Sequence, residues 1–261
     1  MARTLIVGNW KMHLNASQAS ILLHRLHERI RISREVEVVI APSMMVLQPL
    51  SVQIDRRKFR LAAQNAYHKD EGAFTGEVSF TMLRDLVHYA IVGHSERRHV
   101  FNESNQDISQ KVAASFRNGI TPILCVGETK SQRDNYETRR TLHDQLATGL
   151  HLITSSDIKR MVIAYEPVWA LSSGADYAHH VTATPDQIKK AVDTIRAYIT
   201  DLFGKRAAAE VRVLYGGSVS NDTAAGVLAI EGVDGLLVGG ASLNYLQFSG
   251  IVEAAERQSR Q

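Results

Sequence analysis

A chain of 261 residues with 44% hydrophobic content can bury a large core, and a net charge of +3 creates no field that would demand a polyanionic partner. One cysteine excludes an internal disulfide framework, and the eleven histidines are scattered, with His179-His180 the only adjacent pair and no Cys/His spacing suited to zinc. No apolar run approaches the roughly 20 residues that cross a bilayer, so the composition describes a cytoplasmic globular enzyme or binding domain.

Met1-Ala2-Arg3-Thr4 leads straight into Leu5–Val7, an apolar run too short for a secretory leader and without a small-residue cleavage site, so the chain is expected to be unprocessed. Seven more short runs rich in Val, Ile, Leu or Ala follow: Val36–Ala41, Phe59–Ala63, Tyr89–Val92, Ile120–Val126, Met161–Tyr165, Val211–Tyr215 and Gly235–Val238. None alternates cleanly with polar residues, as expected of strands buried on both faces. Most of the intervening stretches have helical periodicity. Leu22, Leu23, Leu26 and Ile30 make one stripe, and Ile188, Ala191, Val192 and Ile195 make another. The second of these helices has a readable start, with Thr184 as N-cap, Pro185 at the first helical position and Gln187 completing a capping box. Cys125 lies inside its apolar run and reads as a buried structural thiol. The basic stretch Arg56-Arg57-Lys58-Phe59-Arg60 matches no nucleic-acid-binding motif and reads as a solvated loop.

Strand then helix, repeated eight times, implies a parallel sheet. A closed barrel suits eight repeats in this length better than an open doubly wound sheet, because no G-x-G-x-x-G follows the first strand. No linker or composition shift divides the chain. The expected fold is one α/β domain over residues 1–261, a (β/α)₈ barrel.

The active site of such a barrel lies at its C-terminal face, so the polar residues that end each run become the candidates. The first run ends in Gly8-Asn9-Trp10-Lys11, the third in Gln64-Asn65, the fourth in Gly93-His94-Ser95-Glu96 and the sixth in Glu166-Pro167. The seventh ends in Gly216-Gly217-Ser218 and the eighth in Gly239-Gly240. Taken singly, Glu166 reads as a rim charge, His94 as a satisfied core residue and the glycines as turns. Together they suit one chemistry. Two glycine turns that open helices offer backbone N–H groups to a phosphate. Glu166 is then a candidate general base, His94 a hydrogen-bond donor to a carbonyl oxygen, and Lys11 a positive charge beside a developing enediolate. Proton removal next to a carbonyl needs these parts and no metal.

Several blocks resemble signature segments of the triosephosphate isomerase family, in order and over nearly the whole chain. They are Gly8-Asn9-Trp10-Lys11-Met12, Gly72-Ala73-Phe74-Thr75-Gly76-Glu77, Val92-Gly93-His94-Ser95-Glu96-Arg97-Arg98 and Cys125-Val126-Gly127-Glu128. Ala164-Tyr165-Glu166-Pro167-Val168-Trp169-Ala170, Tyr215-Gly216-Gly217-Ser218-Val219 and Gly235-Leu236-Leu237-Val238-Gly239-Gly240-Ala241-Ser242-Leu243 complete the set. The resemblance implies interconversion of dihydroxyacetone phosphate and glyceraldehyde 3-phosphate, in glycolysis and gluconeogenesis, without a cofactor. It makes Glu166 the base, His94 the electrophile, and Asn9 and Lys11 pocket residues. Ser172, Ser218, Gly239 and Gly240 become substrate ligands, with Glu96 in support. It implies a homodimer in which the loop carrying Thr75 reaches the neighbour's pocket near Asn9 and Lys11, and neither nucleic acid nor membrane as partner.

One region departs from the family pattern. The lid after the sixth strand has Ala170-Leu171-Ser172-Ser173-Gly174, with Ser172 where the family has a glycine, and Ala175–His180 stands as an insertion before the second hinge, Val181-Thr182-Ala183. The serine keeps its backbone N–H, and the insertion is expected to bulge outward. Tyr215 and Ser218 are the expected partners of the closed lid, which excludes water from the enediolate. Alternative readings each lack a part or differ only in substrate. A tetrulose phosphate isomerase would use the same groups. A Schiff-base aldolase needs a lysine at a barrel strand end, and the only one is Lys11. A metal-dependent epimerase needs a ligand set, and a phosphate-binding scaffold would not keep Glu166, His94 and Lys11 together.

Overall fold

In the computed structural model, which describes residues 3–171 and 182–260, eight parallel strands close on themselves in sequence order. The strands are β1 (Thr4–Asn9), β2 (Val36–Ala41), β3 (Phe59–Ala63), β4 (Tyr89–Val92), β5 (Thr121–Val126), β6 (Val162–Tyr165), β7 (Arg212–Tyr215) and β8 (Gly235–Val238). Pairing of β1 with β8, from Leu5↔Gly235 to Gly8↔Val238, seals the barrel. The (β/α)₈ expectation therefore holds. Around the strands lie α1 (Ala16–Arg29), α2 (Met44–Ser51), α3 (Phe80–Leu83), α4 (Ser95–His99), α5 (Asn105–Arg117), α6 (Lys130–Asp134), α7 (Thr138–Gly149), α8 (Pro185–Ala208), α9 (Asn221–Leu228) and α10 (Tyr245–Gln258).

Local chemistry accounts for the helix starts. Thr184 caps α8, Pro185 opens it and Gln187 returns its side chain to the cap, as the sequence predicts. The apolar stripes of α1 and α8 face inward and are buried. The strand ends differ slightly from the apolar runs. β1 continues through Asn9, because Gly8↔Ile40 and Asn9↔Ala41 extend its pairing with β2. Ile120, Met161 and Val211 precede their strands yet are buried, so their hydrophobicity reports packing and not ladder bonds. The basic stretch is not one solvated loop. Phe59 and Arg60 belong to β3, Arg57 pairs with Asp55, and Lys58 donates to the His27 carbonyl.

Side-chain alternation along the strands sets the interior. Leu5 and Val7, Ile91, Ile123 and Cys125, Val162 and Ala164, Leu214 and Leu237 fill the barrel, while their strand neighbours pack outward against the helices. The N-terminal end is closed by polar groups. Arg212 donates to Glu37 at 3.0 Å and to the Tyr89 hydroxyl at 2.8 Å, and that hydroxyl donates to Glu37 at 3.0 Å. Each member of this plug has partners, which makes charge tolerable at that depth. Ser172, the insertion Ala175–His180 and Val181 lie outside the described residues.

Candidate active site

Strand alternation brings Asn9, the last residue of β1, and then Lys11 beyond Leu5 and Val7, and Glu166 beyond Val162 and Ala164, all over the C-terminal mouth of the barrel. There a cavity of about 300 Å³ is lined by Asn9, Lys11, His94, Glu166, Ser218, Gly239 and Gly240, together with flanking loop residues. The fourth strand breaks the alternation. Gly93 takes φ +69 between β4 and His94, a conformation that a side chain would strain. His94 then caps α4 and turns its ring to the mouth.

Glu166 is 2% exposed. Its Oε2 accepts the Ser95 N–H at 2.9 Å, and its Oε1 lies 3.1 Å from His94 Nε2. The Glu96 N–H donates to His94 Nδ1 at 3.2 Å, which leaves the ring proton on Nε2, directed at Glu166. The first turn of α4 thus holds both the carboxylate and the imidazole.

Lys11 Nζ donates to Glu96 Oε1 at 2.6 Å. Burial pushes the Glu96 carboxyl up, but the Lys11 hydrogen bond and charge, with His94 and His13 beyond, hold it below its usual value. Glu96 therefore stays ionised and pins the ammonium at the mouth. The backbone of Lys11 has φ 52, unusual for a residue with a side chain. Gln64 braces that turn by donating through Nε2 to the carbonyls of Lys11 and Ala41, each at 2.9 Å.

The two glycine pairs lie across the mouth from α4. Their surroundings differ from the simple expectation that both open helices. Gly216-Gly217 precedes α9 by several residues, and the N-cap there is Ser220. Gly239-Gly240 leads into a 3₁₀ turn, Gly240–Leu243, instead of an α-helix. Ser218 lines the cavity, but its hydroxyl donates to the Ala170 carbonyl at 3.0 Å, tying the β7 loop to the segment after β6. Tyr215 packs outward beside Tyr165, and burial pushes its phenol up to about 12. It supports the glycine turn without entering the cavity.

Thr75 lies on an exposed loop away from this cavity. The loop is held to its own chain by the Tyr67 N–H to Val78 carbonyl bond at 2.8 Å, by Phe74 packed against Tyr67 with ring centres 4.7 Å apart and planes tilted 48°, and by Asp70 paired with Arg117. Between Thr75's neighbours and the mouth lies a second cavity of about 400 Å³, whose wall includes Asn9, Lys11, Met12, Gly76 and Phe101.

Several contributors carry no role in the sequence reading: the Ser95 N–H, Gln64 and Glu128. Glu128 is 2% exposed and accepts from Tyr165 and from Trp169 Nε1 at 2.9 Å, which anchors the segment after β6. The block Cys125-Val126-Gly127-Glu128 marks its place, but nothing local indicates its partners. Among the described residues no three His, Cys, Asp or Glu side chains gather as a metal site, and no helix is long and apolar enough to cross a membrane.

The model of the family described as triosephosphate isomerase matches residues 4–255. A protein named triosephosphate isomerase from Clostridium perfringens is 39% identical over 253 residues, covering 97% of this chain and 99% of its own. Those of Citrifermentans bemidjiense and Chloroherpeton thalassium are each 40% identical, over 257 and 261 residues, with 98% of this chain and 100% of theirs covered.

Proposed function

The chain belongs to the triosephosphate isomerase family, and from that premise we propose that it interconverts dihydroxyacetone phosphate and D-glyceraldehyde 3-phosphate, in glycolysis and gluconeogenesis, by proton transfer on Glu166 through an enediolate. The observation that carries this reading is the buried Glu166 carboxylate, held between His94 Nε2 and the Ser95 N–H at the mouth of the cavity. A carboxylate sequestered from water beside a donor is suited to remove a proton from carbon next to a carbonyl.

The steps follow from the groups present. The substrate phosphate sits on the backbone N–H groups around Gly217, Gly239 and Gly240; Ser218, whose N–H and hydroxyl donate to the Ala170 carbonyl at 3.2 and 3.0 Å, exchanges that acceptor for the phosphate, and Ser172 contributes its N–H. Its carbonyl oxygen takes the His94 Nε2–H, which frees Glu166 Oε1. Glu166 removes the proton from the adjacent carbon, and His94, Asn9 and Lys11 meet the charge that develops on oxygen; the hydroxyl proton then passes from one substrate oxygen to the other by way of His94 Nε2, and Glu166 returns its proton to the neighbouring carbon. Every proton stays within the pair of substrate and side chains, so the scheme uses no cofactor.

The same reading makes the protein a cytoplasmic homodimer. The loop around Thr75 inserts beside the partner's Asn9 and Lys11. Met12 and Phe101 support this: both line the second cavity and are 93% and 62% exposed, apolar side chains that a partner would cover. A coupled assay with glyceraldehyde 3-phosphate, run with and without chelator, tests the activity. Turnover unaffected by chelator is expected, and absence of turnover in the folded protein refutes the reading.

A further inference from the structure

We propose that Gln145, on the outer helix α7, is a positioning residue that sets the backbone of Glu166 through Gly127; the inference rests on the reading of Glu166 as the base. Gln145 occupies the apolar stripe of α7 between Leu142 and Leu146 and is only 9% exposed. Its side-chain amide is spent on a single residue. Gln145 Oε1 accepts the Gly127 N–H at 2.8 Å, and Nε2 donates to the Gly127 carbonyl at 3.1 Å. Two bonds to one residue fix orientation as well as distance, and they also satisfy two buried backbone groups.

Gly127 needs this hold because the sheet no longer supplies it. The β4 ladder on β5 stops at Val92↔Leu124, and that of β6 stops at Val126↔Tyr165. Beyond these points the Glu166 N–H donates to the Val126 carbonyl at 2.8 Å and the Val168 N–H to the Glu128 carbonyl at 3.0 Å. Gly127 sits between these two bonds, its own N–H and carbonyl turned to α7. A Cβ on Gly127 would lie 1.8 Å from the Glu166 carbonyl oxygen, so the two backbones touch. The residue that Gln145 clamps is thus the surface on which the base rests. A shift of the Gly127 backbone moves the Glu166 Cα, and a displacement on the order of 1 Å at a reacting group costs up to about 10²-fold in rate.

A double-mutant cycle separates positioning from general support. Gln145→Leu, with Glu166 intact and folding checked by circular dichroism, is expected to lower kcat about 10-fold while KM and inhibition by inorganic phosphate stay within about twofold. In the Glu166→Gln background the same change is expected to lower residual turnover less than about twofold, because a residue acting through the base has nothing left to act on. Equal losses in both backgrounds, or a folded Gln145→Leu with full kcat, overturn the proposal. If Gln145→Leu does not fold, the unbranched Gln145→Met enters the same cycle, and failure of both to fold makes the amide purely structural and also overturns it. Full turnover in Glu166→Gln alone would refute the base assignment itself, a result that no Gln145 variant can produce.

Discussion

His94 Nε2 lies 3.1 Å from Glu166 Oε1, and both side chains are almost fully withdrawn from water. The imidazole has one ring proton to give, since its Nδ1 already accepts the Glu96 N–H. A substrate carbonyl that takes this proton as its hydrogen bond therefore releases Glu166. On the proposed mechanism His94 thus exchanges Glu166 for the substrate carbonyl, and Glu166 keeps the Ser95 N–H alone.

Glu166→Gln tests the base directly. The amide keeps an oxygen for the Ser95 N–H and nearly the same volume, so the fold is expected to survive. Without a proton acceptor, kcat should fall by at least about 10²-fold, the low end of what a positioned base contributes. Near-normal steady-state turnover would remove Glu166 from the mechanism.

Lys11→Met removes the cation that Glu96 holds at 2.6 Å. Hydrogen bonds to charged groups are worth about 1.5–3 kcal/mol, which translates to a loss of about 10- to 100-fold in kcat/KM. Both KM and kcat should change, because the ammonium meets substrate and intermediate alike. A change confined to KM in initial-rate measurements would make Lys11 a binding group only.

Gln64→Leu leaves the carbonyls of Lys11 and Ala41 without their side-chain donor. Unmade buried hydrogen bonds cost about 1–3 kcal/mol, so Tm should drop by several degrees in calorimetry. Because the left-handed turn at Lys11 loses its brace, KM should rise as well. A Tm equal to the parent's would show that Lys11 holds its conformation unaided.

Asp70 anchors the proposed dimer loop. Its carboxyl is held at about 2, first by the hydrogen bond from Arg117 and then by Asn118, against an ordinary value of 3.8. A depressed acid gives its full anchoring above the ordinary value and loses it as pH falls through about 2. This contact therefore contributes no pH dependence to dimerisation between neutrality and about pH 5. Asp70→Ala at neutral pH should raise the dimer dissociation constant a few-fold, about the effect of one exposed ion pair, in sedimentation equilibrium. A sedimentation profile that is monomeric at assay concentration, with full activity, would refute the dimer.

Much of the protein is determined by local sequence. β2, β3, β4 and β8 coincide with their apolar runs, and the start of α8 coincides with its cap, because strand burial and helix capping depend on a few adjacent residues. The candidate site residues were also legible, since strand alternation carries Asn9, Lys11 and Glu166 to one mouth once a barrel is assumed. Three things were decided only by the tertiary structure. The Ser95 N–H reaches Glu166 across 71 positions, Gln64 reaches the Lys11 carbonyl across 53, and Gln145 clamps Gly127 across 18. The outward turn of Tyr215 belongs with them, whereas the tautomer of His94 is set locally by the Glu96 N–H two residues on. Hydrogen bonds between a side chain and a distant peptide depend on register and on which backbone groups the sheet leaves free. Those quantities exist only after the barrel has closed.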